Sequence, residues 1–129
     1  MVLDSSAIVA LVTNEPGAQE IRGAIESAEI LLVGAPTLFE TTMVLTKLFG
    51  IHTQNHVVSL LSAMGAEIVP FSAEHSEMAH DAFLKFGKGR HPASLNYGDC
   101  MSYAISRVAG HPLLFTGRDF TKTDISPVG

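Results

Sequence analysis

The sequence predicts a single α/β domain built on a mainly parallel sheet. Short apolar runs that suit strands alternate with longer segments whose apolar residues recur at helical spacing. Of the 129 residues, 47% are hydrophobic and only 16% are charged, which excludes disorder and fits strands buried on both faces. Neither repeats nor a linker divides the chain, so we expect one domain spanning residues 1–129.

The first half of the chain contains two predicted strands and four predicted helices. The continuous apolar run 30–33 is typical of a strand in a covered parallel sheet. The turn residues 14–17 separate the first two helices, and Gly50 and Gly65 end the next two. The expected elements are, in order, strand 2–3, helix 5–13, helix 17–27, strand 30–33, helix 36–49 and helix 52–64.

The second half continues the alternation. Pro70 stops a strand at 68–69, and Ser72 is the predicted cap of helix 73–86. A loop rich in glycine, proline and basic residues follows, and Gly110 ends the next helix. The expected elements are strand 68–69, helix 73–86, loop 87–96, helix 97–109, strand 113–115, one helical turn in the tail and a short edge strand at Ile125.

The composition predicts the compartment in which the protein works and the partners that it can bind. The single cysteine, Cys100, excludes an intramolecular disulfide and fits a reducing cytosol. We expect no signal peptide, because no basic lead precedes the first apolar residues, and no apolar run is long enough to span a bilayer. A cytoplasmic protein is therefore expected. The net charge of −5 argues against a generic nucleic-acid binder, although six of the eight basic residues fall within 85–122.

Four carboxylates lie where a doubly wound fold would gather them. Asp4 ends the first strand, and Asp119 follows the last by a few residues. Glu40 lies in the first turns of the helix after the second strand, and Asp99 opens the helix before the fourth. Ligands of parallel sheets bind beyond the carboxyl ends of the strands. Because hard cations such as Mg²⁺ prefer oxygen ligands, we predict a divalent-metal site at this edge.

Each acid also has a purely structural interpretation. Thr37-Leu38-Phe39-Glu40 matches a capping box, and Asn96-Tyr97-Gly98-Asp99 resembles one. Asp4 and Asp119 could equally cap the segments that they precede. Capping explains each residue singly but does not explain why the capped ends should share one edge of the sheet.

Several other residues are weaker candidates. Asp124 is explained as well by turn chemistry as by a metal, and Ser6 either orients Asp4 by a hydrogen bond or simply starts a helix. Cys100 is expected in the core. The histidines lack the spacing or the third ligand of a zinc site and are expected at the surface or its boundary; they are His52, His56, His75 and His80.

The sequence resembles a PIN-domain ribonuclease, specifically the VapC toxin of a type II toxin–antitoxin pair. The similar segments are 1–7 with Asp4 and Ser6, 37–40 with Glu40, 95–100 with Asp99, 113–120 with Asp119, and 123–125 with Asp124. These motifs occur in the family's order over the whole chain. Many PIN domains carry an acid three residues before the phenylalanine of the last motif; Gly117 stands there in this chain, which makes Asp119 the expected fourth acid.

The resemblance implies a three-layer α/β/α PIN-like fold with a central, mainly parallel sheet of about five strands. It also implies Mg²⁺- or Mn²⁺-dependent cleavage of RNA, a homodimer, and inhibition by a small VapB-like antitoxin. In that hypothesis Asp4, Glu40 and Asp99 hold the principal ion, and Asp119 binds a second ion or orients the attacking water. RNA phosphates would be contacted by four exposed cations, for which solvated surface is the alternative: Lys85, Lys88, Arg90 and Arg118.

Two other classes of protein are alternatives to a metal-dependent ribonuclease, and each predicts different sequence features. A phosphotransfer fold with a nucleophilic Asp would show an acidic pair or D-x-D at the first strand, and a receiver domain would carry a lysine after its last strand. This chain has Asp4-Ser5-Ser6 and Arg118 at those places. The second rival is a non-catalytic interaction module, against which the retained carboxylates argue.

Overall fold

A central parallel sheet of four short strands organises the structure, a computed structural model that describes residues 1–128 apart from the Gln54 side chain. Gly129, the last residue of the predicted domain, lies outside the described residues. The strands are β1 Val2–Leu3, β2 Leu32–Gly34, β3 Glu67–Val69 and β4 Leu113–Leu114. They lie in the order β3-β2-β1-β4, and every pairing is parallel.

Six α-helices flank the sheet in the part of the chain that the structure describes. They are α1 Ser5–Val12, α2 Ala18–Ser27, α3 Ala35–Phe49, α4 Thr53–Ala63, α5 Ala73–Phe86 and α6 Tyr97–Ala109, and a short 3₁₀ helix follows at Asp119–Lys122. Within residues 1–128 no helix has the length and apolarity that a membrane crossing requires. The α/β class and the parallel sheet predicted from the sequence are confirmed.

The sheet has one strand fewer than expected, because the predicted edge strand near Ile125 is reduced to a single bridge. Leu113 pairs in parallel with Pro127, and its N–H donates to the Ser126 carbonyl over 3.0 Å. Proline has no N–H to give to a ladder, so the pairing stops there. The tail nevertheless lies beside β4 as a fifth extended segment.

Alternate residues of β1, β2 and β4 enter different cores, as expected for a sheet covered on both faces. Leu3, Val33 and Leu114 face a core shared with α1, α2 and α4. Their neighbours Val2, Leu32 and Leu113 face a second core with α5, α6 and the tail. The three layers predicted from the resemblance are therefore present.

The second strand begins and ends later than the predicted 30–33. Ile30 is half exposed and precedes the strand, whereas Gly34 belongs to it. A Cβ on Gly34 would lie 2.7 Å from the Ile105 side chain, so only glycine lets α6 pack this closely against the end of β2. Apolarity alone did not indicate this contact.

Candidate functional site

Asp4 is the most enclosed carboxylate of the molecule's acidic edge. It caps α1 directly after β1, and only 4% of its surface is exposed. Its Oδ2 accepts from the Ser6 N–H over 3.1 Å and from the Ser6 hydroxyl over 2.6 Å. Its Oδ1 accepts from the Ser102 hydroxyl over 2.6 Å. The expected hydrogen bond from Ser6 to Asp4 is therefore present. Asp4 also caps α1, which was the structural alternative to a metal-binding role.

Hydroxyl groups tie this carboxylate to two other elements. The Ser6 hydroxyl accepts from the N–H of Thr116, which follows β4, over 3.0 Å. The Ser102 hydroxyl lies 3.2 Å from that of Thr37 on α3. Because both anchors are hydrogen-bonded themselves, the Asp4 side chain is held in one orientation.

Glu40 reaches the same edge from α3. Its Oε1 accepts from the Ser5 hydroxyl over 2.8 Å, and its carboxylate lies against Gly98, where a Cβ would collide with it. Glu40 thus touches the residue after Asp4 and the residue before Asp99. The capping-box interpretation of 37–40 is wrong, because α3 begins at Ala35 and Thr37 contacts Ser102 instead.

Asp99 caps the start of α6, and its pKa is raised. Its Oδ2 accepts from the Asn96 N–H over 3.1 Å, and its own N–H donates to Asn96 Oδ1 over 2.9 Å, so the capping box is real. Burial raises the pKa of Asp99 from 3.8 to about 7. The hydrogen bond from Asn96 opposes that rise, whereas the charges of Asp4 and Asp119 and a hydrogen bond with Asp119 add to it.

The structure separates the two candidates for the fourth acid. Asp119 opens the 3₁₀ helix, is exposed and interacts with Asp99. Asp124 instead accepts from the Tyr103 hydroxyl over 2.7 Å and lies 3.9 Å from Arg107. Asp119 therefore adjoins the acidic cluster, and Asp124 fastens the tail to α6.

The cluster of Asp4, Glu40, Asp99 and Asp119 is open rather than a closed cage. Across the part of the chain that the structure describes, no three acidic, histidine or cysteine side chains are grouped as a ready metal site. Mg²⁺ needs only one or two carboxylates and keeps several waters, so the oxygen-only donor set suits it. The charges of Asp4 and Asp119 add to the effect of burial on the pKa of Asp99, and a cation at this edge would neutralise that negative charge.

The four candidate phosphate contacts lie at the surface near the ends of the site's elements. Lys85 lies in the last turn of α5, and Lys88 and Arg90 lie in the loop before α6. Arg118 directly precedes Asp119 and caps its 3₁₀ helix. All four side chains are exposed, which agrees both with contact to RNA and with an ordinary solvated surface.

Most of the weaker candidates behave as structural residues. Cys100 is buried and free, and burial followed by the nearby Asp99 charge raises the pKa of its thiol to about 11. His52, His56 and His80 are exposed, as expected. His75 was expected near the surface but is buried, because its Nδ1 completes the α5 capping box with Ser72.

Sequence reasoning missed several residues that position the acids. Ser5, Thr37, Gly98 and Ser102 contact Asp4 or Glu40, or support a residue that does. One signal was available, since Ser102 is three residues after Asp99 and therefore shares its helix face. The contacts of the other residues join positions far apart in the sequence, such as Ser5 with Glu40, 35 residues away, and had no local signal.

Comparison with known proteins assigns this arrangement to a family. The model of the PIN domain matches residues 1–126. Ribonuclease VapC30 of Mycobacterium tuberculosis is 39% identical over 128 residues, covering 99% of this chain and 98% of the relative. Ribonuclease VapC36 of the same organism is 42% identical over 126 residues, covering 97% and 91%. Ribonuclease VapC of Mycolicibacterium smegmatis is 38% identical over 128 residues, covering 99% of each.

Solved structures share the fold at much lower identity. VapC20 of M. tuberculosis, a toxin that cleaves the sarcin–ricin loop, superposes with a TM-score of 0.79 at 16% identity, covering 98% of this chain and 97% of that one. VapBC2 of Rickettsia felis, bound to a DNA fragment from its promoter, gives 0.74 at 11% identity, covering 99% and 96%. The sequence relatives show the family, and these structures support the architecture.

Proposed function

Because this chain belongs to the VapC ribonucleases of the PIN-domain family, we propose that it is a Mg²⁺- or Mn²⁺-dependent endoribonuclease, the toxin of a VapBC-type pair. The observation that supports the metal dependence is the convergence of Asp4 and Asp119 on Asp99, whose pKa is raised to about 7 by burial first and by these two charges in addition. Like charges gathered at the end of a sheet are stable with a cation between them.

The four acids have different roles in this proposal. Asp4 and Asp99 hold the ion directly or through water, and Glu40 completes the set from α3. Asp119, the most exposed of the four, orients the attacking water or holds a second ion. When bound, such an ion promotes ionisation of water and offsets the charge that develops on the phosphodiester. The serine hydroxyls keep Asp4 from turning away from the site.

The cationic side chains bind the RNA backbone in the same proposal. Lys85, Lys88, Arg90 and Arg118 neutralise phosphates on either side of the cleaved bond, so cleavage weakens as salt rises. Which RNA is cut depends on its shape and loops. Mapping of new RNA 5′ ends after induced expression identifies it. We expect the enzyme to act in the cytoplasm, where that RNA is found.

The central experiment measures RNA cleavage by the purified protein with Mg²⁺, with Mn²⁺ and with EDTA. We expect cleavage with either ion and none with EDTA. Asp4→Asn and Asp99→Asn, which keep size and some hydrogen bonding but remove charge, should reduce cleavage to background. Asp81→Asn, an exposed aspartate on α5 outside the cluster, is the matched control and should cut like the wild type.

Circular dichroism and thermal melting separate lost chemistry from lost folding in these variants. Full activity of folded Asp4→Asn or Asp99→Asn would contradict the assignment of the site. Cleavage that persists in EDTA would contradict the metal dependence. Formation of a stable phospho-adduct on Asp4 with acetyl phosphate would instead support the phosphotransfer rival.

A small VapB-like antitoxin is the proposed inhibitory partner, and a homodimer is the proposed assembly. The family assignment supports both, and structural neighbours include toxin–antitoxin complexes. A short gene next to this one should encode a protein that copurifies with the toxin and abolishes cleavage. Sedimentation of the isolated toxin should give the mass of two chains.

A further inference from the structure

Two buried hydroxyl groups form a directed chain of hydrogen bonds that ends on Asp4. Ser102 is 0% exposed and Thr37 is 2% exposed. The Ser102 hydroxyl donates to Asp4 Oδ1 over 2.6 Å, and it lies 3.2 Å from the Thr37 hydroxyl. A serine hydroxyl has one hydrogen to donate, and Asp4 receives it. Thr37 is therefore the donor to Ser102, and the chain runs from Thr37 through Ser102 to Asp4.

This chain joins the same three elements that carry the buried acids. Asp4 caps α1. Thr37 lies on α3, three residues before Glu40. Ser102 lies on α6, three residues after Asp99. Because residues three apart on a helix are neighbours on its surface, each hydroxyl lies next to the acid of its own helix.

The hydrogen bonds act against electrostatic repulsion. Asp4 and Asp99 are close enough for their charges to interact, and like charges favour a wider separation. Rotation of the Asp4 side chain would increase that separation, but it would break the 2.6 Å bond from Ser102. Hydrogen bonds to a charged acceptor inside a protein are among the stronger ones, so Ser102 opposes this movement.

The two oxygens of Asp4 differ in how many partners they already have. Oδ2 accepts from both the N–H and the hydroxyl of Ser6, whereas within residues 1–128 Oδ1 accepts from Ser102 alone. Each carboxylate oxygen has room for about two partners. Oδ1 is therefore the oxygen that can accept a further partner, and Ser102 determines where that oxygen lies.

We propose that Ser102 and Thr37 are positioning residues of the metal site, whose hydroxyls fix Asp4 Oδ1 relative to the acids of α3 and α6 before any ion binds. The inference rests on the proposed function and adds two residues to it, neither of which has to touch the ion, the RNA or the attacking water. Because the acids are already in place, an ion binds without the cost of bringing three elements together.

The test measures Mn²⁺ binding to the purified protein by electron paramagnetic resonance in the absence of RNA. Ser102→Ala should weaken binding by roughly 10–100-fold. Thr37→Val keeps the shape of the side chain but removes its hydroxyl, and it should weaken binding by a smaller factor, because Thr37 acts through Ser102. Thr37→Ser keeps the hydroxyl and should bind Mn²⁺ like the wild type.

Ser106→Ala is the matched control for a structural effect. Ser106 is buried on the same helix, but its hydroxyl donates to the His111 carbonyl over 2.7 Å and not to an acid. This variant should lower the melting temperature and leave the affinity for Mn²⁺ unchanged. The double variant of Ser102→Ala with Thr37→Val should bind Mn²⁺ no more weakly than Ser102→Ala, because the chain is already broken.

RNA cleavage gives a second readout of the same role. The Mn²⁺ concentration that gives half of the maximal rate should rise in Ser102→Ala by the factor found for binding. At saturating Mn²⁺ the variant should regain most of the wild-type kcat, because its hydroxyl does not touch the reacting atoms.

Different results overturn the two proposals. Unchanged Mn²⁺ affinity in Ser102→Ala and Thr37→Val, with a wild type that binds the ion and cuts RNA, would overturn the positioning role alone. Equal weakening by Ser106→Ala would also overturn it, because the loss would then follow stability. Circular dichroism shows whether each variant is folded, and Thr37→Val decides the question if Ser102→Ala does not fold. A wild type that neither binds Mn²⁺ nor cuts RNA with it would contradict the proposed function itself.

Discussion

Asp99 joins local folding to chemistry, because the same carboxylate caps α6 and belongs to the acidic cluster. Its pKa of about 7 in the folded chain exceeds the ordinary 3.8, so without metal the folded state binds the proton more tightly than the unfolded state. The stabilising contribution of this group is complete below about pH 4 and is lost as the pH rises to about 7.

We therefore predict that the metal-free wild type loses stability relative to Asp99→Asn as the pH rises from about 4 to about 7. Thermal melting of both proteins in EDTA measures the difference in melting temperature. At pH 8 the variant should be the more stable, and added Mg²⁺ should raise the melting temperature of the wild type more than that of the variant. A difference that does not vary with pH would argue against the raised pKa.

Gly98 is a second residue whose role is local and functional at once. A methyl group here would collide with the Glu40 carboxylate, although alanine suits a helix better than glycine by about 1 kcal/mol. We predict that Gly98→Ala keeps or raises the melting temperature but lowers RNA cleavage about tenfold or more. Gly23→Ala in α2, where a Cβ meets no atom within 4 Å, should gain stability without loss of activity. Equal cleavage by the two variants would contradict the positioning of Glu40.

At the scale of elements, α6 is tied to the C-terminal tail by a buried tyrosine. Tyr103 is buried and donates to Asp124, and burial, followed by this hydrogen bond, raises the pKa of Tyr103 to about 12. The ion pair of Asp124 with Arg107 is long and half exposed, so it contributes little. The hydrogen bond therefore holds the tail in place.

We predict that Tyr103→Phe lowers the free energy of unfolding by about 1–3 kcal/mol, since the hydrogen bond goes to a charged acceptor. Arg107→Ala should cost less than about 1 kcal/mol. Urea denaturation measures both.

Asp124→Asn should still cut RNA, whereas Asp119→Asn should not. Cleavage by Asp119→Asn together with no cleavage by Asp124→Asn would show that Asp124, not Asp119, is the fourth acid.

The helices were predictable because their signals are local. Ser72 and Asn96 cap α5 and α6, and glycines follow α3 and α6, so those bounds agree with the sequence to within a residue. Strand bounds depend on contacts across the fold, such as Ile105 against Gly34. In the site, the acids were identifiable from their places after strands or in the first turns of helices that adjoin the strands. The contact of Ser5 with Glu40 had no local signal, whereas the spacing of Ser102 from Asp99 placed the two on one helix face without revealing the hydrogen bond from Ser102 to Asp4.

At the scale of the whole molecule, the α3–α4 hairpin ends in an exposed apolar tip formed by Leu48, Phe49, Ile51 and Val58. Ile51 is 82% exposed. Leu45, Val57 and Leu61 are buried, so the hairpin serves the core on one face and leaves the tip uncovered.

We predict that the antitoxin covers this tip. Phe49→Ser with Ile51→Ser should weaken copurification of the toxin with its antitoxin while leaving metal-dependent RNA cleavage intact, because the tip is apart from the acidic cluster. Pull-down with a tagged antitoxin and the cleavage assay measure the two effects. Undiminished capture by the double variant would place the interface elsewhere.

The short bridge at Pro127 also affects how the sheet meets other chains. With the tail beside β4, the exposed backbone row on the opposite side belongs to β3, which has three residues, a charged Glu67 and a following Pro70. Shortness, charge and proline are the features by which proteins prevent strands from neighbouring molecules from adding to a sheet. These features protect the free edge of the sheet at β3 against edge-to-edge aggregation.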